Sequence, residues 1–166
     1  MYTPFNYLPD SSRIWIYTAN RALTLSEQDL VQQKLLSFVE EWQSHDIDVK
    51  ASFLIKEDRF IIIGSDESGH NISGCGIDKS VRQLQELENA LNIKLLDKSF
   101  VYFELDNEIA GIPLPEIKRQ VSIGKIVAST PFYNTVVAEK GQLKAHFKIL
   151  TRDGWVKKYL SETVLY

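Results

Sequence analysis

The chain of 166 residues has a single cysteine, Cys75, so it makes no intramolecular disulfide, and it carries no Cys/His zinc framework. Its 8 glycines and 5 prolines are too few for a linker-rich or collagen-like chain. No apolar run approaches the roughly 18 residues of a membrane span. The opening residues, Met1 to Pro9, have neither a basic n-region nor an apolar h-region. The expected location is therefore the cytosol, without a membrane partner. Positive charge is not in excess either: 19 basic residues against 22 acidic give −3, which argues against nucleic-acid or anionic-membrane binding by the molecule as a whole. No internal repeat or low-complexity tract is present. What is present, 44% hydrophobic and 25% charged residues, is the composition of an ordinary globular chain, and the length predicts one domain.

Arg13 to Tyr17 is β-branched and aromatic and reads as a first strand. Thr24-Leu-Ser-Glu27 has the form of a capping box, and Val31, Leu35, Phe38 and Trp42 behind it form one apolar stripe of a helix reaching about Ser44. Glu40, Glu41, Asp46 and Asp48 make its end acidic, and His45, Asp46 and Asp48 there read as a solvated terminus rather than as metal ligands. Lys50 to Lys56 and Arg59 to Gly64 read as a hairpin turning at Glu57-Asp58. A polar loop from Ser65 to about Gly76 leads to a helix over Asp78 to Leu91, with Val81, Leu84, Leu87 and Leu91 on one side. Phe100 to Leu105 and Ile109 to Leu114 read as strands joined at Asp106-Asn107-Glu108; Pro115 opens a third helix that buries Ile117 and Val121 and stops at Gly124.

This order predicts an α+β fold with a ferredoxin-like βαββαβ core over about residues 12–106, and an added C-terminal β/α extension over about 107–166. Ile14 and Ile16 alternate with Trp15 and Tyr17, and Phe60 and Ile62 with Ile61 and Ile63, so the strands are apolar at both parities. Both sheet faces are then covered, the second by the extension, the N-terminal arm or a second subunit of a homo-oligomer. Between Lys140 and Leu150 two patterns coexist. Leu143, Ala145, Phe147 and Ile149 alternate as a strand would; Lys140, Lys144, Lys148 and Arg152 recur at helical spacing.

Candidate chemistry concentrates in Gly64 to Ser80, which follows a strand and opens a helix, where free N–H groups favour anions. Gly69 and Gly74 have the spacing of a phosphate loop, but Cys75 and Gly76 stand where Lys and Ser/Thr must follow, and Lys79 occupies the third glycine position of a dinucleotide fingerprint. By motif the chain is not an ATPase, and no cofactor is implied. Gly74 and Gly76 are expected to allow a tight connection at positive φ. Gly74, Gly76, Lys79 and Arg59 are the candidates for holding a small anionic ligand. A thiol-dependent enzyme would use Cys75 as nucleophile, His70 as base and Asp66 or Glu67 to orient it. A third reading is an interaction protein with no small-molecule site.

Lys140 to Lys158 holds six basic residues and one acid, leaving −8 on the rest of the chain. A solvated face or intramolecular attraction explains this before an anionic partner does. Ile14-Trp-Ile-Tyr17 sits where an RNA-recognition motif keeps a stacking strand, but Arg59 to Gly64 lacks the second signature, so RNA binding is not expected.

At Ile14-Trp-Ile-Tyr17, Ala51-Ser-Phe53, Arg59-Phe60, Asp66-Glu67, Ser73-Gly-Cys-Gly-Ile-Asp78 and Trp155, the chain resembles a family of small uncharacterised bacterial proteins with a Gly-Cys-(Gly/Ser)-Ile-Asp element. Members are sometimes labelled "ABC transporter ATPase", although the P-loop and magnesium-binding Asp that such chemistry needs are not legible here. Gly76 stands where the family pattern leads one to expect Ser, and the resemblance implies no activity.

Overall fold

Strand β1, Arg13–Thr18, forms in the β-branched and aromatic stretch of the sequence. Helix α1, Leu25–Glu41, starts at the expected capping box: the Glu27 N–H donates to the Thr24 hydroxyl at 3.2 Å, and the Thr24 N–H donates to the Glu27 carboxylate at 2.9 Å. It buries Val31, Leu35 and Val39. The helix ends before the hydrophobic spacing does, because Gln43–Ser44 (β2) and Ile47–Asp48 (β3) pair around His45-Asp46, both at positive φ (52° and 61°). His45, Asp46 and Asp48 thus belong to a two-residue hairpin of the mirror type rather than to a frayed helix end.

Strands β4, Lys50–Lys56, and β5, Phe60–Asp66, form the expected hairpin, with Glu57 and Asp58 both at φ 53° and the Arg59 N–H closing the turn onto the Lys56 carbonyl at 3.1 Å. The antiparallel sheet order is β1-β5-β4. Helix α2, Gly74–Leu91, starts four residues before the expected Asp78, with Ser73 as its N-cap. Gly74 and Gly76 therefore lie in its first turn, and neither is at positive φ. Helices α1 and α2 cover one sheet face, packing Val31, Leu35, Trp42, Leu84 and Leu87 with Tyr17, Ile61 and Ile63. Ile14, Ile16, Phe60 and Ile62 on the other face are also buried, as their apolar parity predicts. Phe5 and Leu8 of the N-terminal arm lie on that face so close to Gly64 that a Cβ there would be 3.3 and 3.0 Å from them.

The computed structural model describes residues 1–160 and divides them into two compact units; residues 161–166 of the expected extension lie outside the described residues. The first unit comprises Met1–Leu96 and Val136–Leu143. The three strands of its larger sheet follow the order of the first three strands of a ferredoxin-like sheet, but the fourth differs from expectation. The free edge of β1 is taken by the returning segment: the Ile14 N–H donates to the Ala138 carbonyl at 2.9 Å, and Arg13 bridges antiparallel to Glu139.

The second unit comprises Asp97–Thr135 and the chain from Lys144. Strand β6, Phe100–Leu105, pairs here with β7, Glu108–Pro113, and with β8, Pro131–Tyr133; β9, Lys148–Leu150, completes the order β7-β6-β8-β9. Asp106 and Asn107, at φ 52° and 62°, make the β6–β7 turn. Helix α3, Ile117–Ser122, buries Ile117 and Val121, and Gly124 follows it at φ 76°. These side chains join Val101, Phe103, Phe132 and Val156 in one core. Both readings of residues 140–150 are realised in turn, a helical turn at Leu143–His146 and then β9. The fold is α+β with antiparallel sheets, and among the described residues no helix is long and apolar enough to cross a membrane.

Candidate functional site

The start of α2 is built by serines. The Ser73 hydroxyl accepts the Gly76 N–H at 3.1 Å, while Ser44 Oγ accepts the Ser73 N–H at 2.9 Å and donates to Ser73 Oγ at 3.0 Å. Gly76 is pressed against the β2–β3 hairpin: a Cβ there would be 2.7 Å from Ile72 and 3.2 Å from Ser44. Its carbonyl accepts the Trp42 indole N–H at 2.9 Å. Two of the candidate ligand residues, Gly74 and Gly76, thus differ in kind, since Gly74 is exposed with nothing within 4 Å of a Cβ and Gly76 is a packing glycine.

Cys75 is exposed in the same turn. No hydrogen bond joins it to His70 among the described residues. His70, in the loop ahead of α2, is half-buried, and its Nε2 is buried without a partner. Asp66 ends β5; the hydrogen bond from Ser68 and the nearby Lys50 ammonium, 3.7 Å away, hold its carboxyl below the usual carboxylate range. Glu67 pairs instead with Arg13 at 3.7 Å. The two acids proposed to orient His70 are therefore paired with cations. Arg59 lies just before the opposite end of β5 from Asp66, and the seven residues of that strand span about 20 Å. It does not join the α2 start. Among the described residues no group of three or more His, Cys, Asp or Glu is placed to hold a metal ion.

Lys79 does line a concavity, one turn farther along α2. A groove of about 660 Å³ runs between α1 and α2. Lys34, Phe38 and Glu41 of α1 line it at spacings of four and three, and Lys79, Arg82 and Glu86 of α2 likewise, because residues three and four apart share a helix face. Phe38 and Trp42 supply its apolar part, with ring centroids 4.9 Å apart. Lys79 Nζ donates to the Gln43 carbonyl at 3.1 Å. Lys34 and Arg82 have no ion-pair or hydrogen-bond partner among the described residues. Lys34, Arg82 and Phe38 were not identifiable as site residues from sequence, since each is an ordinary surface or stripe residue on its own helix. Only the packing of α1 on α2 brings them together.

Three of the six basic residues of the basic segment meet groups of the same chain. Lys140 Nζ donates to the Leu8 carbonyl at 2.7 Å and lies 3.4 Å from Asp10. Lys148 pairs with Glu104, and Lys158 stands 5.2 Å from both the Trp155 and Tyr159 ring centres. Comparison with known proteins finds no matching family model, no matching curated protein and no matching solved structure.

Proposed function

We propose that the protein acts in the cytosol by binding, and that the α1–α2 groove receives a small anionic ligand. The observation that carries this reading is the pair of unpartnered cations, Lys34 and Arg82, on the walls of a groove floored by Phe38 and Trp42. A carboxylate or phosphate would accept from the guanidinium and ammonium, and an apolar portion would lie on the Phe38 ring, behind which Trp42 is buried. Lys79 adds a third cation, so that with Glu41 and Glu86 the lining keeps an excess of positive charge. On this reading binding lies beside the α2 start rather than on its loop. In the same reading the first unit is a variant of the split βαβ arrangement with the returning segment in the fourth position, and the likeness to the bacterial family rests on residues of that unit with the exception of Trp155.

A thiol reaction at Cys75 is the second reading, favoured by the exposure of the thiol in the first turn of α2. The test of the first is an NMR titration with inorganic phosphate, citrate and a nucleoside monophosphate. At least one probe is expected to shift the Trp42 indole and the Arg82 and Lys34 amides. Lys34→Ala with Arg82→Ala should weaken that probe by about tenfold or more, at roughly 1 kcal/mol for each partly exposed cation. Binding unchanged in the double variant, or no groove resonance moved by any probe, overturns the proposal.

A further inference from the structure

The three-stranded sheet has two outer strands, and they are covered unequally. The β1 edge is met by Ala138 and Glu139. The β4 edge is met only at Ala51, where the Ala51 N–H donates to the Met1 carbonyl at 3.1 Å and the Thr3 N–H donates to the Ala51 carbonyl at 2.9 Å. Those two bonds fix the parity of β4: Ser52, Leu54 and Lys56 turn their backbone groups toward Gly64, Ile62 and Phe60 of β5, while the odd residues turn theirs outward. Phe53 and Ile55 thus present N–H and C=O groups to the open edge, without a partner among the described residues. Beside them is a groove of about 600 Å³ whose apolar lining is Tyr2, Leu36, Phe53, Leu54 and Ile55, with Leu36 42% exposed, and whose α1 wall also carries Asp29 and two glutamines. An open strand edge with apolar side chains on both faces is a template for strand addition.

We propose that this edge pairs with the same edge of a second copy of the chain, antiparallel, about a two-fold axis at Leu54. The stretch is self-complementary in that register. Phe53 of each copy exchanges two backbone hydrogen bonds with Ile55 of the other, Leu54 faces Leu54 across the axis, and Lys56 falls opposite Ser52 rather than opposite another cation. The length fits as well. The free edge is bounded on one side by the Met1–Thr3 strand and on the other by the turn at Glu57-Asp58, so each copy leaves the pairing where the other's edge is already filled. The acidic Glu57-Asp58 turn of one copy then comes to the Met1–Thr3 end of the other's edge, where the amino-terminal ammonium and Lys50, itself 3.7 Å from Asp66, supply the opposite charge. Two such sheets join into one of six strands, with Leu36 of each α1 over the junction.

Analytical ultracentrifugation of the full chain from about ten micromolar to about one millimolar should show the mass rising from 19.0 kDa toward twice that value. Leu54→Lys, which sets like charges directly opposite each other, should hold the protein at monomer mass. In a Cys75→Ser background, Leu54→Cys should oxidise to a covalent dimer, since residues facing at such a two-fold have Cα atoms about 4.5 Å apart. Gln85→Cys on α2 should not. For the unmodified chain, amide exchange at Phe53 and Ile55 should slow as concentration rises. A constant mass of one chain across the range overturns the proposal, as does a dimer that survives Leu54→Lys while those two amides exchange freely.

Discussion

A methyl group added at Gly154 would overlap the ring of Phe132, a fully buried member of the second unit's core. Gly154→Ala should therefore cost about 1–3 kcal/mol, read as a fall of roughly 2–4 °C in Tm per kcal/mol. Gly69→Ala, with nothing within 4 Å of the new carbon, should change stability by less than about 0.5 kcal/mol. A second residue prediction concerns Glu27, whose carboxyl is drawn down to about 2 by the Arg21 guanidinium, 2.8 Å away, and by the Thr24 N–H. A lowered folded-state pKa gives stability that is present above the unfolded value of about 4.5 and lost as pH falls through that window toward 2. Glu27→Gln should accordingly lower Tm at pH 7, by a margin that shrinks as pH falls from about 4.5 toward 2; a margin at pH 2.5 as large as at pH 7 would refute the assignment. Thr24-Leu-Ser-Glu27 was legible in sequence because a capping box is a contact between residues three apart. Lys34 and Arg82 were not, because their relation exists only after two helices pack.

Among the elements, three hairpins share one backbone solution. His45-Asp46, Glu57-Asp58 and Asp106-Asn107 all have both central residues in the left-handed region, which such a turn needs to match strand twist and which glycine adopts most cheaply, with Arg59 an added third loop residue in the β4–β5 hairpin. Glutamate is the worst suited of the six. Glu57→Gly is expected to raise Tm by roughly 2–4 °C, the net of about 1–2 kcal/mol of relieved backbone strain and the greater entropy of an unfolded glycine. A lower Tm would show that the Glu57 side chain contributes more than its backbone costs. The turns at 57–58 and 106–107 were readable because apolar strands flank them. The one at 45–46 was hidden by its acidic neighbours, which resemble the solvated end of a helix, and by strands of only two residues. The start of α2 was misplaced for a related reason: Gly-Cys-Gly reads as loop, yet Ser73 caps the helix and Gly76 is required by its approach to Ile72 and Ser44.

In the whole molecule the chain leaves the first unit after Leu96, and returns to it for Val136–Leu143. Local patterning placed β6 as a strand correctly but could not name its partner, since a fourth ferredoxin-like strand and a strand of a second sheet have the same alternation; pairing is decided by contacts far apart in sequence. The return is secured at Lys140. Its backbone N–H donates to the Ser12 carbonyl at 2.9 Å, the Gly141 N–H donates to the Asp10 carbonyl at 2.8 Å, and its ammonium reaches the carbonyl of Leu8, a residue 2% exposed. Lys140→Ala leaves that carbonyl without its charged donor and should cost about 1–2 kcal/mol, whereas Lys144→Ala, at an exposed cation in the other unit, should cost less than about 0.5 kcal/mol. Because the loss falls on the returning segment, amide exchange in Lys140→Ala should accelerate at Ile14, Lys140 and Gly141 ahead of the β5 amides between Ile61 and Ile63. Equal melting temperatures for the two lysine variants, with Ile14 exchange unchanged, would mean that the segment is held by Val137 and Leu143 burial alone and that the lysine contacts contribute nothing.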